Sequence, residues 1–220
     1  MSIDELTAAF RDVDWQELEQ VHDASAKALP ALSNPVTLGA LWDRMEKDEN
    51  LARSAESFNA FQKYVLHDDA STGLRLRLHI FNEHTFEEAH NHRASFSSLI
   101  LRGSYRHALY GNVEDVWGGE DEPATAVKPR FIQEQTAGTS YTIHHAFVHS
   151  TYAIPGTVSL VIQGPRDRAS FRIYDLAQGI TRTRVGGNQA QVVQEPGERK
   201  LGPAELQSAR EELARLGLLA

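Results

Sequence analysis

The stretch LRLRLHIF, residues 74–81, alternates without a break: Leu74, Leu76, Leu78 and Ile80 fall on one side of an extended chain, Arg75, Arg77, His79 and Phe81 on the other. Successive side chains of a strand point to opposite faces, so the run predicts a strand with two distinct faces. Further strand-like runs follow at Ser97–Leu101, Tyr105–Leu109, Arg130–Gln135, Ser140–Ile143, Val158–Gln163 and Ser170–Tyr174. Turn signals divide them, among them Tyr110-Gly111-Asn112 and Gly164-Pro165-Arg166-Asp167. Many short strands in succession predict a sandwich or barrel. The acidic stretch Val113–Val127, with its GGEDEP, reads as a solvated surface loop, although loops of that length also cover sites.

Upstream the spacing is helical, with Leu6, Phe10, Val13 and Leu18, then Leu38, Leu41, Trp42 and Met45 after Pro35. After Asp175 the chain turns Gly-rich, Gln-rich and charged, until Pro203 opens an amphipathic helix carrying Leu206, Ala209, Leu213 and Leu216. No repeat and no independent second core is visible. The expected organisation is an N-terminal helical segment over 1–60 packed on a barrel over 61–180, then a C-terminal extension with a helix over 181–220.

At 220 residues and 41% hydrophobic content the chain can bury a core without staples. It has no cysteine, which removes disulfides, thiolate metal sites, iron–sulfur clusters and a cysteine nucleophile, so any metal must sit on nitrogen or oxygen. The net charge of −8, from 30 acidic against 22 basic residues, argues against nucleic acid or an anionic membrane as partner. The start, MSIDELTAAFRDVDW, lacks a basic segment followed by an apolar one, and no apolar run approaches the ~20 residues that span a bilayer, so a cytoplasmic protein is expected.

Ten histidines are present, and their arrangement matters more than their number. His90-Asn91-His92 places two imidazoles on one face of a strand. Two neutral imidazoles on one wall can bind a first-row divalent metal, and a third from an opposing strand completes a facial set with open positions. Such a pair alone is equally a surface or core coincidence. Here it is followed by SSLIL and Gly103, and a second cluster, GTSYTIHHAFVHS (138–150), supplies His144, His145 and His149.

These runs resemble the two cupin motifs. The first, G-x5-H-x-H-x(3,4)-E-x6-G, has His90, His92 and Gly103 in register; the second, G-x5-P-x-G-x2-H-x3-N, has Gly138 and His149. The resemblance implies a mainly β protein, a single cupin (jelly-roll) β-barrel with N-terminal helices and a C-terminal helix. It implies His90, His92 and His149 as metal ligands and puts His144 and His145 in the turn before the ligand strand, at a pocket rim or simply in solvent.

From about Tyr64 to Asp175 the sequence is most similar to cysteine dioxygenase-like cupins of the three-histidine thiol dioxygenase type. Tyr64 begins a similar strand, FSSLILRG resembles the strand after the ligands, and SLVIQGP resembles S-L-h-L-Y-S-P-P. That family implies Fe(II) on three histidines with no carboxylate, and Phe96 stands at the usual cupin glutamate position. The chain departs from it in having Phe96 for the crosslinking cysteine, Gln163 for the late tyrosine and Leu66 for the carboxylate-anchoring arginine. No crosslink can form, and oxidation of free cysteine is not implied.

Three neutral imidazoles leave a metal its full +2 charge, a strong Lewis acid suited to an anionic substrate. Imidazole suits several metals, so Zn, Mn, Ni and Cu stand beside Fe(II), with no organic cofactor. For proton handling, Tyr105 and His107 share a face, which is internal or solvated, and Tyr152 follows His149. Glu83, Glu87, Glu88 and backbone carbonyls are candidate acceptors for the outer ring N–H of a ligand histidine. Arg75 and Arg77 would bind a carboxylate if their face is internal, and Gln163 could hydrogen-bond a substrate. The expectation is a mononuclear non-heme Fe(II) oxygenase using dioxygen on a small polar or amino-acid-like metabolite. A metal-dependent lyase, isomerase or hydrolase, and a non-catalytic ligand-binding cupin, are the alternatives. A homodimer is expected by analogy with cupins that pair through their sheets.

Overall fold

The computed structural model describes residues 1–58, 61–117, 127–175, 178–185 and 199–220. Four helices come first: α1 (Ile3–Phe10), α2 (Leu18–Leu32), α3 (Pro35–Lys47) and α4 (Glu49–Arg53). Ser2, Asn34 and Asp48 cap α1, α3 and α4 through side-chain oxygens that accept from first-turn N–H groups. The strands follow: β1 (Glu56–Ser57), β2 (Gln62–Asp68), β3 (Arg75–Phe81), β4 (Thr85–Phe86), β5 (Ala89–His90), β6 (Phe96–Arg102) and β7 (Ser104–Asn112). After a short helix, α5 (Val113–Trp117), come β8 (Phe131–Thr136), β9 (Ser140–Ile143), β10 (Phe147–Ala153), β11 (Thr157–Gln163), β12 (Ser170–Asp175), β13 (Ile180–Val185) and β14 (Arg199–Lys200), and then α6 (Pro203–Arg215).

Two seven-stranded sheets form, one in the order β14-β1-β2-β3-β11-β6-β9, the other in the order β13-β12-β5-β10-β7-β8 with β4 pairing beside it on β10, and every pairing is antiparallel. Leave out the two-residue β4 and count eight strands from β3 to β11. The first, eighth, third and sixth then lie side by side in one sheet, and the second, seventh, fourth and fifth in the other. That is the jelly-roll order. The chain is a single jelly-roll β-sandwich with flanking helices.

The leucine face of β3 does not look into the barrel. Leu76, Leu78 and Ile80 join Tyr64, Leu66, Leu99, Val158, Leu160 and Ile162 in one core with Leu29, Leu32, Leu38, Trp42 and Met45 of the helices, and Leu206 and Leu213 of α6 close it. Each large side chain so buried contributes about 1.5–3 kcal/mol. Because alternation is strict, this turns Arg77 and His79 inward, toward the second sheet. Gly103, at φ +75°, makes the tight link from β6 to β7, and a Cβ there would collide with Thr157.

One expectation is corrected. The segment from Val113 is not solvated throughout: α5 places Val113, Val116 and Trp117 in a cluster with Tyr110, Val148 and Tyr174 on the outer face of the second sheet. Spacing of three and four residues makes one helical turn with an apolar side, hidden in sequence by the acidic residues between. GGEDEP, 118–123, lies outside the described residues. Among the described residues no helix is long and apolar enough to cross a membrane.

Candidate metal centre

The site forms where the second sheet is thinnest. β5 is only two residues long and lies between β12 and β10, with His90 directly opposite His149. Asn91 keeps this short strand in register, since its Oδ1 accepts from Arg172 N–H at 2.6 Å and its own N–H donates to the Arg172 carbonyl at 3.2 Å. The chain then turns, and His92 N–H donates to the His145 carbonyl at 3.0 Å while His145 N–H donates to Ser95 Oγ at 3.2 Å. These bonds stitch the two histidine-bearing turns together.

His90, His92 and His149 converge, with one ring nitrogen of each within 4.8 Å of the others. The Nε2 atoms of His92 and His149 approach to 2.6 Å. Two ring nitrogens that close cannot present bare lone pairs to each other; a proton or a cation must lie between them. Burial, reinforced by the neighbouring histidines, holds both rings well below the usual imidazole pKa, so both are neutral: either the Nε2–H of one ring donates to the other, or a cation lies between them. A divalent cation on neutral imidazoles fits this donor set.

The outer nitrogens fit as well. His90 Nδ1–H donates to the Glu88 carbonyl at 2.7 Å, which leaves its Nε2 free for a metal. His149 Nδ1 lies 2.8 Å from His107 Nε2. With His149 Nε2 given to a cation, Nδ1 carries the proton and His107 accepts it. Glu88 is itself held by Arg182 at 2.5 Å, and Glu87 is bonded to Thr151.

Around the cluster the inward faces bring together most of the remaining candidates. On β7, Tyr105 and His107 both point inward and are buried. Burial, and secondarily His90, pushes His107 down to about 4, and burial raises the Tyr105 phenol well above its usual range. Tyr105 Oη–H donates to Tyr141 Oη at 2.5 Å, and the Tyr141 ring lies tilted against His107, with centroids 4.6 Å apart. Tyr141 belongs to no motif in the sequence, but the alternation of Ser140–Ile143 places it on the side of the buried Ile143. Phe96 packs edge-on against His92 at 4.7 Å, so the position a carboxylate ligand would take is an apolar wall.

Across the barrel, Arg77 Nε, His79 Nε2 and Gln163 Oε1 are buried without hydrogen-bond partners among the described residues. Arg75 is different: its guanidinium is spent on Asp68, at 2.8 and 2.7 Å. Tyr152 is corrected outright. It lies an odd number of residues from His149, so it faces outward, 43% exposed, with its ring stacked on His84. His144 and His145 stay out of the cluster, the first bonded to Gln16 at 3.0 Å and the second 3.3 Å from Asp167. The hollow along α3 and α4, lined by Asp43, Arg44, Lys47 and Glu49, is on the helical side and holds none of the histidines.

No family model matches the sequence, and no curated protein does. Among solved structures the chain is similar to KdgF from Halomonas sp., with 13% identity, 50% of this chain and 84% of that one covered and a TM-score of 0.36. It is similar to an RmlC-like cupin from Shewanella frigidimarina, at 17% identity, 51% and 85% coverage and a TM-score of 0.36. It is similar also to the polyketide cyclase RemF from Streptomyces resistomycificus, at 17%, 54% and 73%, and 0.39. The jelly-roll fold rests on the order of this chain's own strands, which brings the three histidines together.

Proposed function

We propose that this chain is a mononuclear metal enzyme of the cysteine dioxygenase-like cupin type, with Fe(II) held by His90, His92 and His149, and that it oxygenates a small polar metabolite. The observation that carries this reading is the convergence of three imidazoles, His149 buried and His90 and His92 half-buried, in a group that includes no carboxylate among the described residues; burial keeps His92 and His149 neutral. Fe(II) on such a set offers its remaining positions to a substrate and dioxygen. The chain's own residues bind and orient. Glu88 and His107 fix the rings of His90 and His149, Phe96 excludes water from one side, and Arg77 and Gln163 face the space opposite. Oxidation of free cysteine stays outside the proposal, because Leu66 belongs to the helix-side core.

Metal analysis of protein purified without oxygen tests the reading. About one iron per chain, with a nitric oxide complex whose spectrum changes on adding small anions, is expected. Zinc in its place would favour hydrolytic or isomerase chemistry, and no metal would sink both. His90→Ala, His92→Ala and His149→Ala should each lose the metal and remain folded, whereas His145→Ala keeps it.

A further inference from the structure

The wall opposite the histidines is polar, buried and unsatisfied. Arg77 and His79 are inward positions of β3, and Gln163, two residues beyond Arg77's cross-strand partner Val161, is inward on β11. None of Arg77 Nε, His79 Nε2 and Gln163 Oε1 has a partner among the described residues. Buried polar atoms are nearly always paired, so unpaired ones gathered on one wall point to a ligand. Turning the Gln163 amide over fills the same space and presents its NH2 group instead.

The charges around this wall share one sign. Lys63 sits directly opposite His79 in register, and burial, Arg77 and Lys63 together hold the His79 imidazole well below its usual pKa. The nearby carboxylates are engaged: Asp68 with Arg75, Glu56 with both Lys63 and Lys200, Glu87 with Thr151. A divalent ion on neutral imidazoles would make the other wall positive too.

We infer that the ligand is a small dianion without an ammonium group, one anionic end at the histidine cluster and the other between Arg77 and Gln163. The first end rests on the metal reading; the second does not. An amino acid would bring its ammonium beside Arg77 or the metal, where like charges repel it, so the inference narrows the substrate to an amine-free acid.

Succinate and L-aspartate share a carbon skeleton and differ by that ammonium. Calorimetric titration of the protein, as purified and again after chelation, should show succinate binding at least tenfold more tightly than aspartate in both states. Arg77→Gln should weaken succinate at least tenfold with the thermal transition kept; if that variant does not fold, Gln163→Ala should weaken it at least threefold. Equal affinity for the two acids, binding of neither, or a succinate affinity untouched by these substitutions overturns the inference. Protein that carries no metal yet prefers succinate would defeat the metal reading alone.

Discussion

At the scale of single residues, the unusual partner is His107. A ligand histidine commonly donates its outer N–H to a carboxylate or a carbonyl, and a carboxylate there adds negative charge to the ligand. His149 has a neutral imidazole instead, pushed down to about 4 by burial, so it cannot offset the charge of a bound cation. His107→Phe is expected to weaken metal binding ~10–100-fold in competition against a chelator, the usual effect of losing such a partner. His107→Gln retains an acceptor and should recover most of the loss; equal affinity in all three proteins would show that the contact orients nothing. The same scale shows how far side-chain direction can be read from sequence. The inward pointing of Tyr105 and His107 was left open by alternation alone. Counting residues from His149 suffices to put Tyr152 outside, whereas proximity in sequence alone does not decide its face.

At the scale of elements, alternation along Leu74–Phe81 gave two faces but not which of them is inside. The ordinary rule would turn the leucines into the barrel. Here α2, α3 and α6 cover the first sheet from outside and take the leucine face as their own core, so the polar face becomes the interior. The helices were legible from their spacing; their effect on the barrel was not, since it depends on which sheet they cover. β5 was hidden for another reason: a two-residue strand has no period to detect, and a side chain, not a long ladder, holds it. Asn91→Ala removes a buried acceptor from Arg172 N–H and should cost about 1–3 kcal/mol in denaturant unfolding. It should also lower metal affinity, because His90 and His92 flank it. Trp117→Ala should cost about 3–5 kcal/mol, as α5 loses its buried ring, yet leave metal content unchanged, because the ring packs on the opposite face of the sheet. A Trp117→Ala protein that loses metal would show that the two faces are coupled.

For the whole molecule the closed polar interior has a consequence for acid stability. His67, His79, His92, His107 and His149 all have pKa values lowered in the folded chain, burial being the largest cause for each. A histidine with a depressed folded pKa favours the folded state fully above its unfolded value near 6.5; that stability is lost as pH falls from there toward the folded value, because the unfolded chain takes up protons that the folded one refuses. For His107, from 6.5 to about 4, the loss is about 2 kcal/mol by pH 5, and the other four add in the same direction. The carboxylates with lowered values, Glu56, Asp69, Glu205 and Glu212, titrate below this window. Urea unfolding of chelated protein should therefore give a midpoint that is level between pH 8 and 7 and falls steadily from 6.5 to 5, and added metal should steepen the fall because only neutral imidazoles hold it. A midpoint level from pH 7 to 5 would mean that the imidazoles reach water or a counter-ion in the folded state, and with them would go the case for an interior that waits for an anion.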